Sequence, residues 1–405
     1  MKARIDTSVN NGQIHTVAAI LFLAVIVLIN QISHFAVTGV YYLCALFAFG
    51  VWLYGDGKKL EVPKQIAVFA VLIVLTGLIN VVYPGNSTLN KHLFTVVSVG
   101  IALVFLDKRT DERVFLYMFF INALVVLIRM LIGGPKGTIY VSSSANFVSV
   151  HLLCPLVLFY SETERREKKL RLWPVVAAWV MCLVARGRAG ILFCSFLLLG
   201  LMVVRVLPPF LQLDKRKKLT YSAVLAGVLV LAVVLAVKVD LIQKIPVLEK
   251  FKKFGMSGTG RGNIWGDYLR HTFAAFENAV FAPALENVQY VVRHGGNLHN
   301  SFLNIHAYNG LIMFAVVIIM CAYAAINGMK NGKWVYLICF ATFCMRGFTD
   351  YVFWGSTGTP FLFYFLFMPY VTGKRNPTWV IDYEKILAFL MNKKAPAAVD
   401  QGAKE

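Results

Sequence analysis

The sequence contains few charged residues for its length. Only 15% of its 405 residues are charged while 58% are hydrophobic, and 20 acidic residues face 40 lysines and arginines. Soluble proteins carry about a quarter charged residues, so this composition excludes an ordinary soluble domain and predicts a polytopic membrane protein. The net charge of +20 indicates a fixed orientation in the membrane and anionic partners, and we expect no nucleic acid among them.

Several features of metal, redox and nucleotide sites are missing. All seven cysteines lie in apolar runs without CxxC spacing, so we expect neither disulfides nor a cysteine metal site. The glycine-rich "SGTGRG" lacks the Lys-Ser/Thr of a P-loop. Because no outward loop is rich in carboxylates, we expect no metal and no other cofactor. Internal repeats are absent. We expect no cleavable signal peptide, because the first apolar run continues past signal-peptide length, lacks an A-x-A-like site and is followed by further runs.

Long apolar runs fill most of the chain. A helix needs roughly 20 residues to cross the hydrocarbon core of a bilayer. The runs predict an all-α polytopic membrane protein with about twelve transmembrane helices. They cover residues 14–34, 36–54, 65–84, 92–106, 113–133, 145–161, 173–186, 188–207, 219–239, 300–326, 334–353 and 357–373.

The connections between these runs are short, except for residues 240–298. We therefore divide the chain into transmembrane helices one to nine (1–239), a large loop (240–298), transmembrane helices ten to twelve (299–373) and a tail (374–405). Within the tail, the stretch "PTWVIDYEKILAFLMNKK" is predicted to form a short amphipathic helix.

Basic residues are concentrated in alternate connections. Clusters such as "ERREKKLR" and "DKRKK" fall on one side of the predicted membrane, and the positive-inside rule assigns that side to the cytoplasm. The tail then lies in the cytoplasm and the loop at 240–298 faces outward. This orientation predicts a multi-pass protein of the bacterial inner membrane, with its site on the periplasmic face.

The orientation rule leaves the outward-facing arginines unexplained. Arg186 and Arg188 lie at the turn between the seventh and eighth spans, where a guanidinium must pair, face a cavity or reach lipid headgroups. Both are therefore candidates for substrate binding. Arg261 follows a glycine-rich turn and begins a stretch with apolar residues at helical spacing, a placement that suits a phosphate. We expect this stretch to lie in the membrane interface with its aromatic face on lipid. Its apolar positions are Ile264, Trp265, Tyr268, Leu269, Phe273 and Phe276.

Polar residues crowd the start of the tenth span, in "NLHNSFLNIHAYNGL". A histidine near neutral pH can accept a proton from a sugar hydroxyl, and His299 is therefore the predicted base. Asn300 and His306, which follow on the same span, are candidate substrate ligands.

Three more charged residues lie at or near the outer ends of spans. Arg129, in the fifth span, is a further candidate for substrate binding. Arg346 and Asp350 are four residues apart on one helix face, and we expect them to pair with each other.

The stretches "SGTGRGNIW" and "NLHNSFLNIHAYNGL", with "RGRAGI" before them, resemble the O-antigen ligase and polymerase superfamily of bacterial polysaccharide assembly. The resemblance implies that Arg188 and Arg261 bind pyrophosphate, that His299 is catalytic, and that the fold is a lipid-dependent glycosyltransferase bundle. The motifs cover only about residues 185–310. The segment "FAPALENVQY" lacks the glycines of the family's P-x-x-G-x-G element.

Together, the residues and the resemblance predict an O-antigen or capsule polymerase. It would join undecaprenyl-pyrophosphate-linked oligosaccharide repeats with inversion and without a metal. Its partners would be the lipid-linked donor, a second lipid-linked repeat as acceptor, membrane lipids and a chain-length regulator. One alternative is an O-antigen ligase, whose acceptor is lipid A core. Another is a polysaccharide or lipid transporter, which is disfavoured because the two halves show no repeat symmetry and the polar residues cluster at the outer ends of spans.

Overall fold

The computed structural model describes residues 59–86, 89–108, 110–133, 147–185, 187–212, 214, 217, 260–372 and 378–382. The predicted spans at 14–34, 36–54 and 219–239 lie outside the described residues, as does Arg186. The described part of the chain is mostly helical, which is compatible with an all-α membrane protein.

Helices follow one another along the chain with a single pair of short strands. In order, the elements are β1 (Lys59–Pro63), α1 (Lys64–Val82), α2 (Leu89–Leu106), α3 (Arg113–Gly133), α4 (Phe147–Arg165), α5 (Trp173–Val184), α6 (Arg188–Gln212), α7 (Arg261–Thr272), α8 (Phe276–Phe281), a 3₁₀ turn (Leu285–Asn287), α9 (Gln289–Arg293), α10 (Ser301–Lys330), α11 (Trp334–Thr349), α12 (Thr359–Thr372) and β2 (Thr378–Asp382). Helices α1 to α6 and α10 to α12 coincide with predicted apolar runs.

Three of the described helices are long and apolar enough to cross a membrane, namely Lys64–Val82, Arg188–Phe210 and Ser301–Lys330. Helices α2, α5, α11 and α12 contain shorter apolar stretches, which fall below the roughly 20 residues that a perpendicular crossing requires. The count of twelve spans therefore stays a prediction.

Helix α12 forms the centre of the described bundle. Its residues from Thr359 to Pro369 are all buried, as expected of a helix that is apolar on every side. Phe69 of α1 packs edge-to-face on Phe363 and Phe367, with ring centroids 5.2 and 5.5 Å apart. Aromatic pairs of this kind add about 0.5–1.5 kcal/mol each beyond the area that they bury. Helix α12 thus gives its neighbours a rigid support.

One end of the bundle is held together by buried carboxylates. Glu162, whose side chain is 1% exposed, accepts hydrogen bonds from Arg166 Nε at 3.2 Å and from the Tyr364 hydroxyl at 2.7 Å. Glu164 accepts a hydrogen bond from the backbone N–H of Val335 at 3.0 Å, at the positive end of the α11 dipole. The cluster "ERREKKLR" therefore also fastens α4 to α11 and α12.

Part of the tail is a strand, and the predicted amphipathic helix is wrong for residues 378–382. Strand β2 pairs antiparallel with β1, with Lys59 opposite Asp382 and Pro63 opposite Thr378. The pairing partner lies at the other end of the sequence, so local periodicity could not reveal it. This small sheet is a minor exception to the predicted all-α class.

Helix α10 is interrupted at Gly310, where φ is 74° and ψ is −176°. Glycine adopts such a left-handed φ without steric strain. A Cβ at this position would also lie 2.6 Å from the backbone oxygen of Val280. Near the break, the carbonyl of Ala307 accepts hydrogen bonds from the amides of Asn80 at 3.2 Å and Asn86 at 3.1 Å. The first part of α10 is thereby fastened to α1 and to the turn after it.

Replacing Gly310 with alanine should destabilise the protein strongly. The left-handed backbone alone costs about 1–3 kcal/mol for a residue with a Cβ, and the contact with Val280 adds to that cost. Gly332 is a matched control, because its φ is 62° but no atom lies within 4 Å of its Cβ position. Thermal unfolding of the detergent-solubilised protein should show a larger loss for Gly310→Ala than for Gly332→Ala. Equal losses would mean that the Val280 contact contributes nothing.

Candidate functional site

Asp350 joins a histidine and two arginines at the end of the bundle opposite to the buried carboxylates. Its Oδ1 lies 3.2 Å from His299 Nδ1. Its Oδ2 lies 3.3 Å from Arg346 Nη2 and 3.6 Å from Arg261 Nη2. The structure thus brings together the predicted base and one predicted pyrophosphate ligand, and it adds Asp350 between them.

Asp350 is held in place through its backbone as well. It follows the last residue of α11 in an extended conformation, and its carbonyl accepts a hydrogen bond from the Ser301 hydroxyl at 2.8 Å. The same hydroxyl accepts hydrogen bonds from the N–H groups of Val352 at 2.7 Å and Phe353 at 3.1 Å. Ser301, the first residue of α10, therefore fixes the connection that carries Asp350 beside His299, two residues before α10.

His299 has a strained backbone. Its φ is 49°, a left-handed value that residues other than glycine rarely adopt and that costs of order 1–3 kcal/mol. Two neighbours hold this geometry, since the His299 N–H donates to Asn297 Oδ1 at 2.7 Å and Asn300 caps α10. Asn300 Oδ1 accepts from the N–H groups of Phe302 at 2.9 Å and Leu303 at 3.1 Å. These hydrogen bonds hold the backbone conformation in which the imidazole contacts Asp350.

Arg261 reaches the site from the first turn of α7, directly after Gly260, whose φ is 72°. Trp265 of the same helix donates its indole N–H to the carbonyl of Leu298 at 2.8 Å. This hydrogen bond ties α7 to the segment before His299. The Arg261 side chain is 21% exposed, so it can contact a ligand as well as Asp350.

The sequence predicts that the apolar residues from Ile264 to Phe276 form one surface that faces lipid, but the structure divides them between buried and exposed positions. Ile264 and Tyr268 are fully buried, whereas Phe273 and Phe276 are 77% and 80% exposed. Helix α7 ends at Thr272, so the two phenylalanines lie beyond it. The buried positions dock α7 on the protein, and this docking places Arg261.

The electrostatics of the cluster keep Asp350 ionised at neutral pH. Burial alone would raise its pKa, but the hydrogen bond from His299 and the charges of Arg346 and Arg261 hold that pKa well below its ordinary value. An ionised carboxylate can only accept hydrogen bonds. His299 Nδ1 must therefore be the donor in this contact, which leaves Nε2 as the ring nitrogen that does not contact Asp350. The His299 side chain is 29% exposed, so an external hydroxyl can approach it.

Arg188 begins α6 and is half-buried. Two residues later, a Cβ on Gly190 would lie 2.7 Å from the Cβ of Ser149. The Ser149 hydroxyl accepts a hydrogen bond from Arg346 Nε at 3.4 Å. These contacts place the start of α6 beside the Arg346 side of the site.

Other candidate residues have structural contacts or lie elsewhere. Both ring nitrogens of His306 are engaged, Nδ1 with the Tyr268 hydroxyl at 2.6 Å and Nε2 with the carbonyl of Ala279 at 2.9 Å. Asn300 is engaged as the cap of α10. Arg129 is half-buried in α3 and is not one of the three side chains, His299, Arg261 and Arg346, that contact the Asp350 carboxylate.

The sequence predicts one partner of Asp350, Arg346, and misses the contacts with His299 and Arg261. The pairing with Arg346 agrees with the expected spacing of four residues, but an ion pair within one helix gives no sign of further partners.

Searches with protein-family models, among curated proteins and among solved structures give no match to this chain. Its function must therefore be inferred from the chemistry of this cluster and from the sequence motifs.

Proposed function

We propose that this chain is a membrane glycosyltransferase that polymerises undecaprenyl-pyrophosphate-linked oligosaccharide repeats at the periplasmic face of a bacterial inner membrane. The observation that carries the proposal is the pairing of His299 with Asp350, 3.2 Å apart, with Arg261 on the other carboxylate oxygen. A buried carboxylate that orients a partly exposed imidazole is suited to general-base chemistry.

In the proposed reaction, His299 Nε2 accepts the proton of an acceptor hydroxyl. The acceptor oxygen attacks the anomeric carbon of the donor, and the bond from that carbon to the pyrophosphate oxygen breaks. Attack opposite the leaving group inverts the anomeric configuration. Asp350 stabilises the imidazolium that forms, as a carboxylate does for any histidine base that gains a charge.

The leaving pyrophosphate requires positive charge, which Arg261 and Arg188 would supply without a metal. Arg261 suits this role because its side chain is 21% exposed and its distance from Asp350 is 3.6 Å, the longer of the two arginine contacts. It can therefore turn towards an incoming phosphate while Arg346, 2% exposed, remains on Asp350. Activity of the purified protein should persist in EDTA.

The ligase alternative uses the same donor chemistry with lipid A core as the acceptor, and it differs in its cellular product. Glycan banding of a deletion strain separates the two activities. Lipid A core that carries a single repeat indicates a lost polymerase, whereas bare core indicates a lost ligase. A normal ladder of polysaccharide lengths in the deletion strain would contradict both.

The interruption of α10 at Gly310 is the observation that favours a transporter, because broken helices frame many transport sites. The cavity beside Gly310 measures only about 30 Å³ and is lined in part by Thr76, Asn80 and Asn309. This volume has room for water but not for a sugar. We therefore retain the enzyme as the proposed function.

A lysine at position 261 should not restore activity. If Arg261 binds pyrophosphate through two hydrogen bonds from its planar guanidinium, the point charge of lysine cannot reproduce that contact. Turnover of Arg261→Lys should then fall at least about tenfold. Arg270 is a matched control on the same helix, since it is exposed and lies away from Asp350. The measurement is the initial rate of polymer formation by equal amounts of each folded variant. Full activity of Arg261→Lys would favour simple attraction of headgroups over bidentate binding.

A further inference from the structure

A cavity of about 680 Å³ lies at the end of the bundle that holds the buried carboxylates, opposite to His299. It forms where α4 and α12 end and where α10 turns into α11, and Arg165, Asn331, Lys333 and Thr372 are among the residues that line it. Asn331 and Thr372 are exposed, so the cavity opens at the surface of the protein. Pockets that hold small ligands typically measure about 300–1,000 Å³, and this cavity therefore has room for one.

The charged side chains that line this cavity are both cations. They are Arg165 and Lys333, and no carboxylate is among the described lining residues. The two buried carboxylates nearby have other partners. Glu162 is bonded to Arg165, and Glu164 accepts hydrogen bonds from two backbone N–H groups at the start of α11. The charge of the cavity therefore favours an anionic ligand.

Both cations can still donate hydrogen bonds to a ligand. Arg165 donates from Nε and Nη2 to Glu162 and from Nη1 to the carbonyl of Leu106. Each terminal nitrogen of a guanidinium carries a second N–H, which Arg165 can offer to the cavity. Lys333 is half-buried, and among the described residues its amino group has neither a carboxylate nor a hydrogen-bond partner. Since a lysine is seldom buried without a partner, an anion in the cavity would complete its surroundings.

The cavity lies at the level expected for lipid headgroups. Trp334 directly follows Lys333 and is exposed, and tryptophan is enriched at the boundary between membrane and water. Ile326 and Met329 are exposed on the last turns of α10, next to the lining residue Asn327, and they offer apolar surface to acyl chains. The basic clusters assign this end of the bundle to the cytoplasmic side, where the leaflet is rich in anionic lipids.

We propose that this cavity binds the phosphate of an anionic phospholipid from the cytoplasmic leaflet, with Lys333 and Arg165 as its ligands. Basic pockets between transmembrane helices on the cytoplasmic side suit anionic headgroups. Soluble phosphate esters share this chemistry, but the apolar residues exposed beside the cavity favour a lipid. The bound lipid would link the ends of α4 and α12 to the turn between α10 and α11. The inference is independent of the glycosyltransferase proposal, because it concerns the other end of the bundle.

The test uses full-length protein in detergent and dioleoylphosphatidylglycerol as the probe, with bound lipid read by native mass spectrometry. The wild type should bind this lipid more tightly than dioleoylphosphatidylcholine, whose trimethylammonium group both cations repel. Lys333→Met should weaken binding of the probe about fivefold or more, and Lys333→Arg should bind as the wild type does. Thr372→Trp changes an exposed residue that lines the cavity. It should obstruct the cavity without a change of charge and weaken binding at least as much as Lys333→Met.

Lys330 provides the matched control, because it lies at the same end of the bundle but is exposed and outside the cavity lining. Lys330→Met should bind the probe as the wild type does. Equal weakening by Lys330→Met and Lys333→Met would reduce the effect to general attraction of anionic headgroups and overturn the site. Unchanged binding by folded Lys333→Met or by Thr372→Trp would also overturn it. Displacement of the probe by an equal concentration of glycerol 1-phosphate would assign the cavity to a soluble phosphate ester and overturn the lipid assignment.

Discussion

His299→Ala should abolish polymer in cells and lower the turnover of the purified protein about a hundredfold to ten-thousandfold, the range expected when a general base is removed. The imidazole contributes the basic Nε2, and alanine leaves the acceptor hydroxyl without a proton acceptor. The fold should tolerate the change, since the side chain is 29% exposed. The measurement is single-turnover transfer from a lipid-linked donor, together with a thermal unfolding curve and donor binding for the same sample.

Two other histidines serve as controls for this prediction. His294 is exposed, and its Nδ1 bonds to the carbonyl of Tyr290 at 2.7 Å, so His294→Ala should leave turnover within about twofold of the wild type. His306 holds Tyr268 and Ala279, so His306→Ala should lower the unfolding temperature and reduce turnover much less than His299→Ala. Near-normal turnover by folded His299→Ala would remove the base from the mechanism.

The sequence predicts the parts of this structure that have a local signal, namely a run of apolar residues, a short motif or a regular spacing along one helix. The long apolar runs locate every long helix in the described part of the chain, because a helix that spans hydrocarbon has to be apolar over its length. The motifs around Arg261 and His299 predict two residues that the structure joins through Asp350. The pairing of Arg346 with Asp350 follows from their spacing along one helix.

The parts that it does not predict depend on contacts between distant residues. His299 and Asp350 lie at the start of one helix and the end of another, and only the packing of α10 against α11 shows that they meet. The pairing of β1 with β2 is non-local for the same reason. The break at Gly310 accompanies the close approach of the Val280 backbone oxygen. The sequence does not reveal this contact, because a glycine in an apolar helix can also serve only to let two helices pack closely.

Asp350→Asn should lower both turnover and stability, by two separate causes. The neutral amide can donate to His299 Nδ1, which would move the ring proton to Nε2 and remove the base, so turnover should fall at least about a hundredfold. The loss of the carboxylate charge also leaves the guanidinium of Arg346, 2% exposed, without its counter-ion. Removing one partner of a buried ion pair typically costs about 3–5 kcal/mol. Turnover per folded molecule and the unfolding temperature should therefore be measured on the same preparation.

A second substitution separates the two causes. In the double variant Arg346→Met and Asp350→Asn, no buried charge is left unpaired, so the unfolding temperature should return most of the way to that of the wild type. Turnover should stay as low as in Asp350→Asn, because His299 still lacks the carboxylate that fixes its proton on Nδ1. If the double variant recovers turnover together with stability, then Asp350 acts only by neutralising Arg346, and the orientation of His299 must come from its strained backbone and the Asn297 hydrogen bond.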